Sequence, residues 1–197
     1  MASIKSDIIG ELNQDNQFED WWHSLPIKIP FFNNKTVEIA FMGFVPESDA
    51  LFIKDADEAL KTFLEKSETD RLSLSHLAYK NCMDFLNAIE FDEADQPLWN
   101  IKDENEIWNF IYPQTIFVTR RHRHDENIYI NVTCECEWEQ EHGLQLVFRQ
   151  GKILTRISAQ DGHITEADAY NKPDNEDKLL SQFNASTTTS KWWKFWN

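Results

Sequence analysis

The chain has 197 residues, 41% of them hydrophobic, with 14 Phe and 8 Trp, which is enough for one sizeable core or two small ones. Five Gly and six Pro exclude collagen-like and low-complexity classes. A net charge of −15 disfavours nucleic acid and anionic membrane as partners, and suits either a basic protein surface or plain solubility.

Residues 1–20 are polar and read as a loose arm or a short helix. Asp7, Glu11, Asp15, Glu19 and Asp20 interrupt any apolar leader there, and no run approaches the ~20 apolar residues of a membrane span. The expected location is therefore the cytoplasm. Trp21, Trp22 and Leu25 open the packed region. Ile27, Ile29 and Phe31 alternate with polar residues, as do Val37, Ile39 and Phe41 with Glu38 outward. Two strands follow, joined through Phe32-Asn33-Asn34-Lys35, since Asn tolerates a left-handed backbone.

The spacing of Ala56, Ala59, Leu60, Phe63 and Leu64 predicts a helix over 55–66, with acids in its first turn. A second helix is predicted over 73–89 from Leu74, Leu77, Ala78, Cys82, Phe85, Leu86 and Ile89, capped by Ser73. Residues 91–97 form an acidic connector and a candidate lobe boundary. A short helix is expected at 103–111, stopped by Pro113. The period then changes to 2, with strands at 115–120, 127–138, 144–149 and 152–158, a glycine turn at Arg149–Lys152, and another turn at Asp161-Gly162. Residues 171–178 are polar and acidic. Residues 171–197 form a linker, including the Ala185–Ser190 run, and a Trp-rich tail. The pattern is α+β: an N-terminal hairpin and helices packed on a mainly antiparallel sheet, with residues 21–170 as one domain.

Four features invite a chemical reading. In Ile128–Trp138 the even positions are apolar or Cys and the odd ones polar, so Cys134, Cys136 and Trp138 point inward and Glu135 and Glu137 outward. A metal on Cys134, Cys136 and His142 is the weaker alternative, because a zinc site commonly uses wider Cys spacing and a second ligand pair. No cofactor is expected. Glu139, Glu141 and His142 lie just beyond the strand, either as a turn closed by Gly143 or as a general-base cluster in an enzyme or ligand-binding domain. The basic run Arg120–His124 reads as a turn paired with local acids, or as an anion or partner contact. The sequence Lys191-Trp192-Trp193-Lys194-Phe195-Trp196 suits docking on the domain, on a partner groove, or weakly on a membrane surface. No phosphate loop, nucleophile elbow, zinc-helix or calcium-loop motif is present.

The stretch CECEWEQEHGLQLVFRQGKILTRISAQDGHITEADAY resembles the C-terminal signature of a bacterial domain family of unknown function, the DUF6985-type domains, through Cys136, Trp138, Glu141, His142, Gly143 and Gly151. PFFNNKTVEIAF and the acidic helix ending in FLEKSETDR, with Phe63, Leu64 and Arg71, are similar to its front half. The resemblance covers roughly 26–160 and implies no activity. In size, charge and organisation the chain resembles immunity proteins, which neutralise toxins delivered between bacteria, an analogy carried by no motif. The expected function is thus a non-catalytic acidic domain that covers a basic toxin surface. Its expected partner-binding residues are Asp55, Asp57, Glu58, Glu90, Asp92, Glu93 and Asp95, with Trp192, Trp193 and Trp196.

Overall fold

The computed structural model describes residues 2–180. Its framework is a nine-stranded sheet built from β1 (Ser3–Ser6), β2 (Gly10–Gln14), β3 (Trp21–Ser24), β4 (Ile27–Ile29), β5 (Lys35–Met42), β6 (Ile111–Arg120), β7 (Ile128–Cys136), β8 (Leu144–Arg149) and β9 (Ile153–Ser158). The spatial order is β1-β2-β3-β5-β6-β7-β8-β9, with β4 paired on β5. Every pairing is antiparallel except β5 with β6. That parallel pair requires a long crossover. Residues 43–110 supply it with α1 (Phe52–Leu64), α2 (Glu68–Leu72), α3 (Ser75–Leu86), α4 (Gln96–Trp99) and a 3-10 segment, Glu104–Phe110. The expected α+β class is what the structure shows.

The crossover covers the first sheet face. Ile39, Phe41, Ile116, Val118, Ile130, Val132, Cys134, Leu146 and Phe148 alternate inward and meet Phe52, Ala56, Leu60 and Phe63 of α1. Aromatic edges fill the centre: Phe31 lies 5.6 Å from Phe148 and 6.1 Å from Trp108. Ser75 ties α3 to the 3-10 segment, accepting from Trp108 Nε1 at 2.8 Å and donating to Asn105 Oδ1 at 2.7 Å.

Several elements depart from expectation. Residues 3–14 are a hairpin on the sheet edge rather than an arm or helix. Asp57 of α1 accepts from Ser6 Oγ and from the Asp7 N–H, tying the hairpin's turn to the helix. The helix predicted over 73–89 forms as α3, and a short helix that was not foreseen, α2, precedes it. Ser67 heads α2 through a capping box with Asp70, and Ser73, expected to cap the longer helix, instead closes α2 by donating to the Asp70 carbonyl. Pro113 does not end the preceding segment. It sits inside β6 at an irregularity between Pro113 and Thr115, where a missing N–H is tolerated. The turn at Asn33-Asn34 forms as read, both residues at positive φ.

Alternation along β7 holds for Cys134 and Cys136, yet Tyr129, on the nominally wet face, is fully buried, and all six residues of β8 are buried. The cause is a second covering layer over β8 and β9. It is made by residues 159–180 with α5 (Glu166–Tyr170), a helix capped by Thr165 and not foreseen from the sequence. Over β3, β5 and β6 the same face carries side chains that are mostly half-exposed.

Candidate functional site

Consecutive arginines at the end of β6 leave on opposite faces. Arg120 turns to the α1 side, where Nε meets Asp49 at 2.6 Å, Nη2 meets Asp55 at 2.8 Å, and Nη1 donates to the Glu126 carbonyl at 2.6 Å. Arg121 turns to the second face and is 3% exposed. Its guanidinium donates to Asp168 at 2.7 and 3.1 Å, to Asp174 at 2.7 and 2.8 Å, and to Thr165 Oγ1 at 3.3 Å. Asp125 lies 3.7 Å away and also accepts from Tyr129 Oη at 2.8 Å. Burial works against the Arg121 charge, but the Asp174 and Asp168 carboxylates outweigh it and push its pKa up. The Arg121 bonds hold the Asp174 carboxyl below the usual carboxylate range. Arg156 and Gln145 extend the network: Arg156 donates to the Thr165 carbonyl at 2.8 Å and pairs with Asp161, and Gln145 donates to Asp161 at 3.1 Å and to the His163 carbonyl at 2.9 Å. The basic run is therefore a clasp for the second covering layer. Its acids, Asp168 and Asp174, lie about fifty residues away in sequence, which no local pattern exposes.

The Glu139–Gly143 corner is a tight turn. Glu139 Oε1 accepts from the N–H groups of Glu141 at 3.3 Å and His142 at 3.2 Å, and the Gly143 N–H bonds the Glu139 carbonyl at 2.8 Å. The exposed His142 ring lies 3.5 Å from the same carboxylate. Gly143 has φ +63°, and a Cβ there would stand 2.4 Å from the Cys134 carbonyl oxygen. The Glu139 carboxylate is thus occupied in holding the turn, and the shallow cleft beside it is lined by Tyr112, Glu135, Cys136, Glu137 and Gln140.

Cys82, Cys134 and Cys136 are all free and buried. Burial pushes the Cys82 thiol up to about 12, aided by the neighbouring Cys136, and Cys136 up to about 11; burial raises Cys134 as well. Among the described residues, no group of three or more His, Cys, Asp or Glu is placed to hold a metal ion. Native protein at pH 8 is expected to react with a thiol reagent at least a hundred-fold more slowly than an unfolded control, because the thiolate fraction is minute. Rapid titration of even one thiol before unfolding would show that the strand opens.

The anticipated acids fall into two groups. On α1, Asp55 is paired with Arg120 and Asp57 holds the N-terminal hairpin, so their charge is largely committed inside the chain. Glu58 is exposed and lines a polar cleft of about 420 Å³ between α1 and the turns after β6 and β8, together with Asp55, Arg120, Glu126, Gln150 and Lys152. Glu90, Asp92 and Glu93 are exposed and Asp95 half-buried, and Asp92 caps a short 3-10 turn through the Ala94 N–H at 2.9 Å. The structure adds Asp84, Asp103, Glu104 and Glu106, all exposed, on the flanking elements. Residues 84–106 so hold eight acids and one base, Lys102. In their midst Phe91 is 62% exposed and Ile89 43%. Trp192, Trp193 and Trp196, and the Ala185–Ser190 linker, lie outside the described residues.

A family model described as a domain of unknown function, DUF6985, matches residues 8–164. The chain belongs to this family. The DUF6985 match starts within the N-terminal hairpin, earlier than the residue 26 expected from the resemblance, and so takes in β2 and β3 but not the edge strand β1. It stops just before α5, so the layer clasped by Arg121 lies mostly beyond it. The resemblance rested on Gly143 and Gly151, and both have a physical reason: each is at positive φ with a backbone carbonyl where a Cβ would go. No curated protein and no solved structure matches the chain. Among the described residues no helix is long and apolar enough to cross a membrane.

Proposed function

We propose that this DUF6985 domain is a non-catalytic binding module for a basic protein surface, acting as an immunity protein that covers a cognate toxin. The observation that supports it is the segment 84–106, where eight carboxylates, seven of them exposed, accompany the exposed Phe91 and Ile89. Long-range charge of one sign speeds the encounter of a basic partner, and an aromatic side chain at the centre supplies apolar area that charge alone does not. Surface carboxylates are held at little desolvation cost before the partner arrives.

The test is co-expression with the product of the adjacent gene, followed by purification of the complex. The expected result is rescue of growth and a stable complex with a basic protein. Truncating Phe91→Ala is expected to weaken that complex by about ten- to a hundred-fold, mostly through faster dissociation. Neutralising Glu90, Asp92 and Glu93 together as Gln, Asn and Gln should lower the association rate and flatten its salt dependence. Undiminished toxicity without a complex, or a complex indifferent to both sets of changes, would count against this reading.

A further inference from the structure

The second face of the sheet is covered over β8 and β9 and open over β3, β5 and β6. On the covered half, residues 161–177 reach Arg121, Gln145 and Arg156, and Val147 and Tyr129 are fully buried. The described chain then stops on that same side. Asp177 accepts from the Ala167 N–H of α5 at 3.1 Å and from the Leu180 N–H at 2.9 Å, and Leu180 is buried. The open half carries an aromatic row. Phe18, 51% exposed, lies 5.1 Å from Trp21, and Trp21 lies 5.6 Å edge-on from Phe117, with Met42 opposite Trp21 in register. Carboxylates flank the row. Glu38 and Asp15 bracket His23 at 2.6 and 3.3 Å, and Glu135 is exposed on β7. Two bases lie nearby: Lys5 stands opposite Glu11 at the sheet edge, and the Lys35 ammonium lies 5.4 Å over the ring of Tyr112, the register partner of Glu135.

Residues 181–197 have the complementary chemistry. They contain no Asp or Glu, and Lys191–Trp196 holds four aromatic side chains and two lysines. Reach is sufficient. Twelve residues from Leu180 to Trp192 span up to about 40 Å when extended, whereas five strand spacings, from β9 to β3, amount to about 24 Å.

We propose that residues 181–197 dock on the open half of the second sheet face, continuing the layer begun by residues 159–180. The Trp and Phe side chains pack on the Phe18–Trp21–Phe117 row, and Lys191 and Lys194 lie near the Glu38, Asp15 and Glu135 carboxylates. This surface is separate from residues 84–106, which follow α3 on the other face, so the docking stands or falls independently of the proposed binding function.

A nitroxide at Asn197→Cys in the full chain tests it, since the three native thiols are buried. At low protein concentration, the NMR signals of Trp21, His23, Met42, Phe117 and Thr119 are expected to lose at least half their intensity. Signals of residues 84–106 are expected to keep theirs. Phe117→Glu should restore the lost intensity while the remaining spectrum shows an intact fold. Unattenuated signals across β3, β5 and β6 would overturn the proposal, as would attenuation centred on residues 84–106. Attenuation that appears between labelled and unlabelled chains, rather than within one, would also overturn it in favour of a second copy as the occupant.

Discussion

Gly151→Ala is expected to destabilise the fold by about 3 kcal/mol or more, from a left-handed backbone cost of ~1–2 kcal/mol and an overpacking cost of ~1–3 kcal/mol. The residue closes the β8–β9 turn at φ +64°, and its missing side chain lets that turn rest against α1. An added Cβ would stand 2.0 Å from the Ala59 carbonyl oxygen and 3.0 Å from Phe63 Cβ. Neither neighbour yields cheaply: one is helix backbone and the other belongs to the aromatic core beside Phe148, 5.3 Å away. Gly162→Ala supplies the control. That glycine has φ +79° with nothing within 4 Å, so its loss is confined to the backbone term, about 1 kcal/mol. Urea denaturation of the two variants decides the matter. Equal midpoints would mean that the turn does not lean on the helix.

The second large effect is at Arg121. Arg121→Met is expected to cost about 3 kcal/mol, because it leaves the mostly buried Asp168 carboxylate without its guanidinium and frees the half-exposed Asp174, while Asp125 keeps Arg149 at 3.1 Å. The loss should be local first. Amide exchange should rise over α5 and β9 before it rises over the α1 side of the sheet. The pH dependence carries its own sign. The Asp174 carboxyl titrates lower in the folded protein than in the unfolded chain, so its contribution is full above the ordinary carboxylate pKa of ~3.9 and is lost as pH falls through the folded value. The parent protein should therefore lose stability steeply below about pH 4, and both Arg121→Met and Asp174→Asn should show a shallower acid limb. Parallel acid limbs in all three proteins would remove Asp174 from the account.

Much of the first sheet face was legible because its signal is local. Period-2 alternation from Ile128 to Cys136 depends on backbone pleat alone, so Cys134 and Cys136 face the core as read. The α1 stripe is equally self-contained. The N-terminal hairpin was illegible for the opposite reason: β1 and β2 are short and mostly polar, and they are strands because Leu12 and Ile4 reach the core and Asp57 fastens their turn. The short α2 has a comparable origin: five residues carry too little apolar period to stand out, although Ser67 has the acid three residues on that completes its capping box.

At the candidate sites, the Glu-His-Gly motif was visible but its work was not. Its glycine abuts Cys134, a residue from the neighbouring strand, and the carboxylate that holds the turn belongs to Glu139, two residues before the motif's own glutamate. The acids at 90–95 were legible as a charge run. That Phe91 among them stays exposed while Leu98, Ile101 and Ile107 are buried depends on how α3, α4 and the 3-10 segment pack.

By itself, then, the sequence determined the α+β class, the inward cysteines, the glycine turns and the acidic character, because each follows from spacing or composition within a few residues. The tertiary structure alone decided which carboxylates receive Arg120 and Arg121 and that β8 is buried on both faces. It also decided that half of the second face stays open. Those outcomes depend on Asp49, Asp55, Asp168 and Asp174, partners 47 to 71 residues away, brought within hydrogen-bond distance by chain packing that no local period encodes.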